Sequence, residues 1–199
     1  VRERLGRPVG ADAEQTRRRI LTAAMRCVAE VGYSQTTIRE IARAAEMTSG
    51  SLYHYFPNKS ELLEATGEEI EDIVAPRLRA AAAQSDDVVA RLDAVLDESQ
   101  RLMRDHPYLA AFLRAARAGS AARSRYPGSR ALREVVTEIV ADAAAQGTLA
   151  PGASPASVVE AVCALTRGLS ERSTTLPPEP YAATLAAAKR LIRGSLFAR

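Results

Sequence analysis

The chain has no tryptophan, two cysteines, two histidines and nine Phe and Tyr together among its 199 residues. Cys27 and Cys163 lie far apart without ligand-type spacing, which argues against a disulfide scaffold and a cysteine-based zinc site and suits a reducing cytoplasm. His54, in the second short helix, and His106, alone before Pro107, have no catalytic partner at useful helical spacing. Catalysis, a bound metal and a cofactor are therefore not expected. No uncharged run approaches the roughly 18 apolar residues that a bilayer requires, and no stretch near the start has the build of a secretion signal. The expectation is a cytoplasmic protein with no membrane partner.

What is present is ordinary globular composition, 47% hydrophobic and 26% charged. Alanine, the best helix former, is abundant, and no long stretch alternates apolar with polar residues, so the fold class reads as all-α. Charge is unevenly spread. Residues 1–60 hold ten basic and six acidic side chains, whereas the remainder holds 17 and 18. A basic first third on a neutral body points to a polyanionic partner or to a solvated face.

Apolar periodicity predicts nine helices. The first runs from about Ala13 to Val31, with Asp12 and Gln15 at capping-box spacing and Gly32 as its stop. Cys27 lies on its apolar stripe and reads as a small core residue. The second, Ile38 to Ala45, opens on Thr37 with Glu40, and a third short helix runs from Thr48 to about Tyr55 after a tight turn. Asn58 with Glu61 caps the fourth, which Pro76 is expected to end. The fifth spans Asp86 to Asp105. Pro107 takes the first position of the sixth, and Gly119 to Arg130 reads as a mobile loop. The seventh ends at Gly147, the eighth begins near Pro155, and the ninth carries Tyr181 to Leu196. The acidic run Glu68, Glu69, Glu71 and Asp72 reads as a solvated helix face, with a cation site as the alternative. Ser99 and Thr166, polar within apolar stripes, either face a cavity or bond their own helix backbone.

Two short helices behind a longer one describe a helix-turn-helix. Three of the nine aromatics crowd into residues 53–56, in the second short helix and its end. Small Ser, Thr and Gly there allow close approach to base edges, and Tyr and His can donate to phosphates. A lysine at a helix N-terminus, as at Lys59, suits phosphate.

At Gly32-Tyr33, Thr36 to Ala42, Ser49 to Phe56 and Asn58 to Leu63 the sequence resembles the TetR family of bacterial transcriptional regulators. The likeness covers about residues 13–65. It implies a homodimer whose helices 1–3 bind a double-stranded DNA operator, with helix 4 as connector and a variable body that binds an effector and dimerises. Residues 1–12 would then be a flexible basic arm, 13–60 the DNA-binding domain and 61–199 the body. Carried over by position, Thr37, Arg39, Thr48, Ser49, Gly50, Ser51, Tyr53, His54, Tyr55 and Lys59 face DNA, and Leu52 and Phe56 are core. The chain departs from the usual pattern at Glu46, where a glycine is common, and at Ser49, where a lysine is. Gly6-Arg7-Pro8 with Arg2 and Arg4 reads as a disordered tail or as an arm for the minor groove.

The implied function is a ligand-released repressor on a near-palindromic operator, and the alternative is a chromosome-organising protein of the same fold without an inducer. An apolar effector would be lined by Leu92, Leu96, Ser99, Met103, Leu109, Phe112, Val136, Val140 and Val162, stripes that carry no charge. The eighth helix is apolar on two faces, which suits a dimer contact through Leu165, Leu169, Leu185, Ala188 and Ile192.

Overall fold

The computed structural model describes residues 9–119 and 130–195. Of the flexible arm expected over residues 1–12, residues 1–8 lie outside the described residues and 9–12 are instead the first turn of a helix; the body of the loop expected between Gly119 and Arg130, and Leu196, also lie outside them. Within them the fold is all-α, with nine helices: α1 (Val9–Val31), α2 (Ile38–Ala44), α3 (Ser49–Tyr53), α4 (Lys59–Ala82), α5 (Val88–Asp105), α6 (Leu109–Gly119), α7 (Arg130–Ala145), α8 (Pro155–Arg172) and α9 (Pro178–Ser195). α1 packs on α2, α4 and α6, α4 on α5 and α7, and α7 on α8. α5 runs through the middle of the body, touching α4, α6, α7, α8 and α9.

Several boundaries differ from the sequence expectation. α1 starts at Val9, so Asp12 lies in its first turn, favourable for the helix dipole, rather than at its cap. α6 begins at Leu109, because residues 106–108 form a turn closed by the Leu109 N–H on the His106 carbonyl at 2.9 Å. α9 begins at Pro178, where a proline costs no hydrogen bond.

The largest difference is α4, which passes through Pro76 to Ala82. Proline removes one N–H and crowds the carbonyl four residues back. Both Pro76 and Asp72 are exposed, so water can serve that carbonyl. Beyond it, Leu78, Ala81 and Ala82 return to the core. Arg77 fastens this end to α5, reaching Glu98 at 2.5 Å and Asp105 at 2.9 Å.

Candidate nucleic-acid interface

Three local caps build the interface. Thr37 Oγ1 accepts the Glu40 N–H at 3.3 Å, and Glu40 Oε2 accepts from the Thr37 N–H and hydroxyl, both at 2.8 Å. These bonds, the hydroxyl's first, hold the Glu40 carboxyl below the usual carboxylate range. Thr48 Oγ1 accepts the Ser51 N–H at 3.0 Å at the start of α3. Asn58 accepts the Glu61 N–H at 2.9 Å and donates to its carboxylate at 2.8 Å. Each uses residues three apart, which is why the sequence pattern reveals them.

α3 is only five residues long, and its orientation comes from the core beneath it. Leu52 is fully buried and Phe56 nearly so. The Arg17 guanidinium lies 5.5 Å from the centroid of the Phe56 ring. With these two side chains inward, the other face is offered to solvent. Tyr53 is 52% exposed and Tyr55 36%, and Thr48, Gly50, Ser51 and His54 are exposed beside them, with Ser49 half-buried. Arg39 and Thr37, on the start of α2, are exposed too. A Cβ built on Gly50 would meet only Thr48 Oγ1 at 3.8 Å, an ordinary contact. The fold itself therefore does not demand a glycine there, and its smallness serves whatever approaches α3 from outside.

Lys59 is placed differently from a bare phosphate clamp. Its Nζ donates to the Ser34 carbonyl at 3.2 Å and sits 5.5 Å from the Tyr33 ring centroid. The ammonium has three N–H groups, so this bond aims it and leaves others to donate. Sequence reasoning missed Ser34 and Tyr33 as its supports. The contact bridges 25 residues, and no local pattern encodes it.

The body brings the expected effector-lining residues together. Leu92, Leu96, Leu109, Phe112, Val136, Val140 and Val162 are buried in one apolar core, with Met103 packed against it and Ser99 half-buried. Ser99 Oγ donates to the Val95 carbonyl and Thr166 Oγ1 to the Val162 carbonyl, both at 2.8 Å. Both hydroxyls are thus satisfied within their own helices. The residues expected at a dimer contact divide. Leu169, Leu185, Ala188 and Ile192 are buried within one protomer, while Leu165 is half-buried and Leu191, not singled out from sequence for this contact, is 64% exposed. Leu165, Gly168, Leu169, Ala188 and Leu191 line an apolar groove of about 360 Å³ between α8 and α9. A further correction concerns the acidic run of α4. Glu68 and Asp72 are exposed, but Glu71 is buried.

Residues 20–66 match the family model described as bacterial regulatory proteins, tetR family. The chain is 37% identical over 103 residues to the HTH-type transcriptional repressor KstR of Mycolicibacterium smegmatis, which covers 51% of this chain and 50% of KstR. It thus spans about half the length of the curated relatives it matches. Two solved structures share the fold over nearly their whole length. A gamma-butyrolactone receptor, an ArpA-like protein, is 28% identical with a TM-score of 0.66, covering 92% of this chain and 100% of that one. FadR of Bacillus subtilis, solved with stearoyl-CoA, is 18% identical with a TM-score of 0.75, covering 89% of this chain and 97% of that one. The match to the family of bacterial regulatory proteins described as tetR thus lies on residues 20–66, the segment that carries the helix-turn-helix.

Proposed function

We propose that this protein is a DNA-binding transcriptional regulator that reads a near-palindromic duplex as a homodimer and is released from it by a small molecule bound in its body. The observation that carries the reading is the outward face of α3. Thr48, Gly50, Ser51, Tyr53, His54 and Tyr55 are displayed while Leu52 and Phe56 anchor the helix from behind. Short hydroxyl side chains and a glycine let a helix lie deep in a major groove, and the flanking Tyr, His and Lys groups can donate to phosphates.

The homodimer is supported by the apolar groove of α8 and α9 with Leu191 beside it, since an exposed leucine beside half-buried apolar groups favours a second copy of the same surface. The effector reading is supported by the relatives. One structural neighbour is named a receptor for a gamma-butyrolactone, and another was solved with stearoyl-CoA. Release requires the effector to favour a conformation whose recognition helices no longer fit the grooves. α4 is the element that can transmit this, because it starts beside α3 and ends clamped to α5.

The test is selection of duplex sequences by the full chain, followed by affinity measurements across salt. Half-sites about 10 base pairs or a multiple apart are expected, with log affinity falling linearly against log salt. Tyr55→Ala and Lys59→Ala each weaken binding, and Ser99→Phe blocks effector response while DNA binding persists. Failure to select any duplex at low salt refutes the reading.

A further inference from the structure

Glu71 is at odds with the stretch of sequence it belongs to. It is flanked by charged residues on α4, yet it is 5% exposed, because it faces α7. Its Oε2 accepts the Ala131 N–H at 3.0 Å, serving a backbone group in the first turn of α7 that has no helical acceptor. Its Oε1 is buried and has no hydrogen-bond partner among the described residues. Burial pushes the carboxyl above the usual carboxylate range, against the opposing pull of the Ala131 N–H and of Arg130. A carboxyl oxygen left in this way carries an uncompensated desolvation cost.

Glu71 is part of the wall of a crevice of about 290 Å³ between α4 and α7, shared with Asp72, Pro76, Arg79, Arg130 and Glu134. Both arginines pair with Glu134, and Arg130 also attracts Glu71. Arg79 lies 3.0 Å from Glu134, and Arg130 3.7 Å. Glu71 and Asp72 have no ion pair of their own among the described residues. Pro76 adds to the imbalance, because it has no N–H to return to the Asp72 carbonyl. The crevice therefore holds surplus acceptors and surplus negative charge, with an apolar wall at Ala75 and Pro76.

We propose that this crevice binds a small organic cation carrying N–H donors, a primary ammonium with a short apolar tail, whose N–H bonds to Glu71 Oε1. The positive charge offsets Glu71 and Asp72 together, and the tail covers Ala75 and Pro76. An anion would meet two unpaired carboxylates. A metal ion would need more ligands, since no group of three His, Cys, Asp or Glu is assembled among the described residues. The proposal goes beyond the effector reading, because none of the residues expected to line the apolar effector site, such as Leu92, Leu96 and Ser99, borders this crevice. It also places that ligand on the connecting helix, within six residues of the clamp that Arg77 makes to α5.

The probe is n-hexylammonium, with hexanol and hexanoate as matched controls, added to the full chain and followed by calorimetry and thermal denaturation. Hexylammonium binds saturably and raises the melting temperature, hexanol does so more weakly, and hexanoate does not bind. Glu71→Gln keeps an oxygen for the Ala131 N–H but loses the charge, and it weakens hexylammonium by about tenfold or more. Asp72→Asn, exposed and harmless to folding, weakens it several-fold and decides the matter if Glu71→Gln does not fold. Equal binding of hexanoate, absence of saturable hexylammonium binding, unchanged affinity in the folded variants, or a melting shift by calcium alone overturns the proposal. DNA affinity is measured separately. Glu71-dependent binding without DNA release upholds the crevice and gives the effector reading no support. DNA release by other compounds, with no hexylammonium binding, does the reverse.

Discussion

Glu46 occupies the turn between α2 and α3 with φ of 55°. It follows the C-cap of α2, Ala45. The Met47 N–H donates to the Ala42 carbonyl at 3.0 Å and the Glu46 N–H to the Arg43 carbonyl at 3.1 Å. This is the paired closure that places one left-handed residue just past a helix, the position where glycine is favoured. An L residue in that region costs about 1–2 kcal/mol. Glycine avoids the clash but gives up about 0.5–1 kcal/mol to the freedom of the unfolded chain. Glu46→Gly is therefore expected to stabilise the protein by about 0.5–1 kcal/mol. For a chain of this length that raises the melting temperature by about 1–4 °C. Glu46→Ala keeps the Cβ, so it is expected to stay within about 0.5 kcal/mol of the parent. Both remove an exposed negative charge from the helix-turn-helix, so both strengthen DNA binding alike, most at low salt. Thermal denaturation by circular dichroism and DNA titrations by fluorescence anisotropy separate the two effects. If Glu46→Ala stabilises as much as Glu46→Gly, or if glycine lowers the melting temperature, the backbone account is wrong.

Thr37→Ala removes one side of the α2 capping box and costs about 1 kcal/mol. It also raises the titration midpoint of Glu40, observable by NMR, because the Thr37 hydrogen bonds hold that carboxyl low. Leu191→Glu leaves the protomer folded but separates the proposed dimer in sedimentation, since Leu191 is exposed on one protomer. Ile192→Glu, one residue on and 1% exposed, unfolds the chain. Glu71 has a folded-state pKa raised above its unfolded value, so its contribution is most favourable below the unfolded pKa and is lost as pH rises through the folded one. The melting temperature of Glu71→Gln relative to the parent therefore climbs between acid and neutral pH, and a flat difference contradicts the assignment.

Features that depend on residues a few places apart were legible before any fold was known. The Thr37–Glu40, Thr48–Ser51 and Asn58–Glu61 caps each close over three residues. The helix-turn-helix they delimit follows from helical periodicity and these caps, while the inward place of Leu52 and Phe56 and the outward place of Tyr53 and Tyr55 are what the family resemblance implies. Ser99 and Thr166 show the limit of such reasoning. Each is polar in an apolar stripe, and the pattern does not say whether the hydroxyl serves a cavity or its own backbone.

The amino-acid sequence by itself determined the all-α class and the placement of the short helices, because local hydrogen bonds and apolar spacing are written in neighbouring residues. Only the tertiary structure decided the rest. α4 continues past Pro76 because the clamp of Arg77 to Glu98 and Asp105 and the burial of Leu78 stabilise its far end. Glu71 turns from a solvated charge into a buried carboxyl because α7 covers it, and Lys59 is aimed by a carbonyl 25 residues away. Leu191, rather than Ile192, faces out because the helix leans on α5 and α8, contacts whose partners lie far along the chain. Burial and charge pairing are properties of what lies opposite a residue, and what lies opposite is set by packing between helices that no local period records.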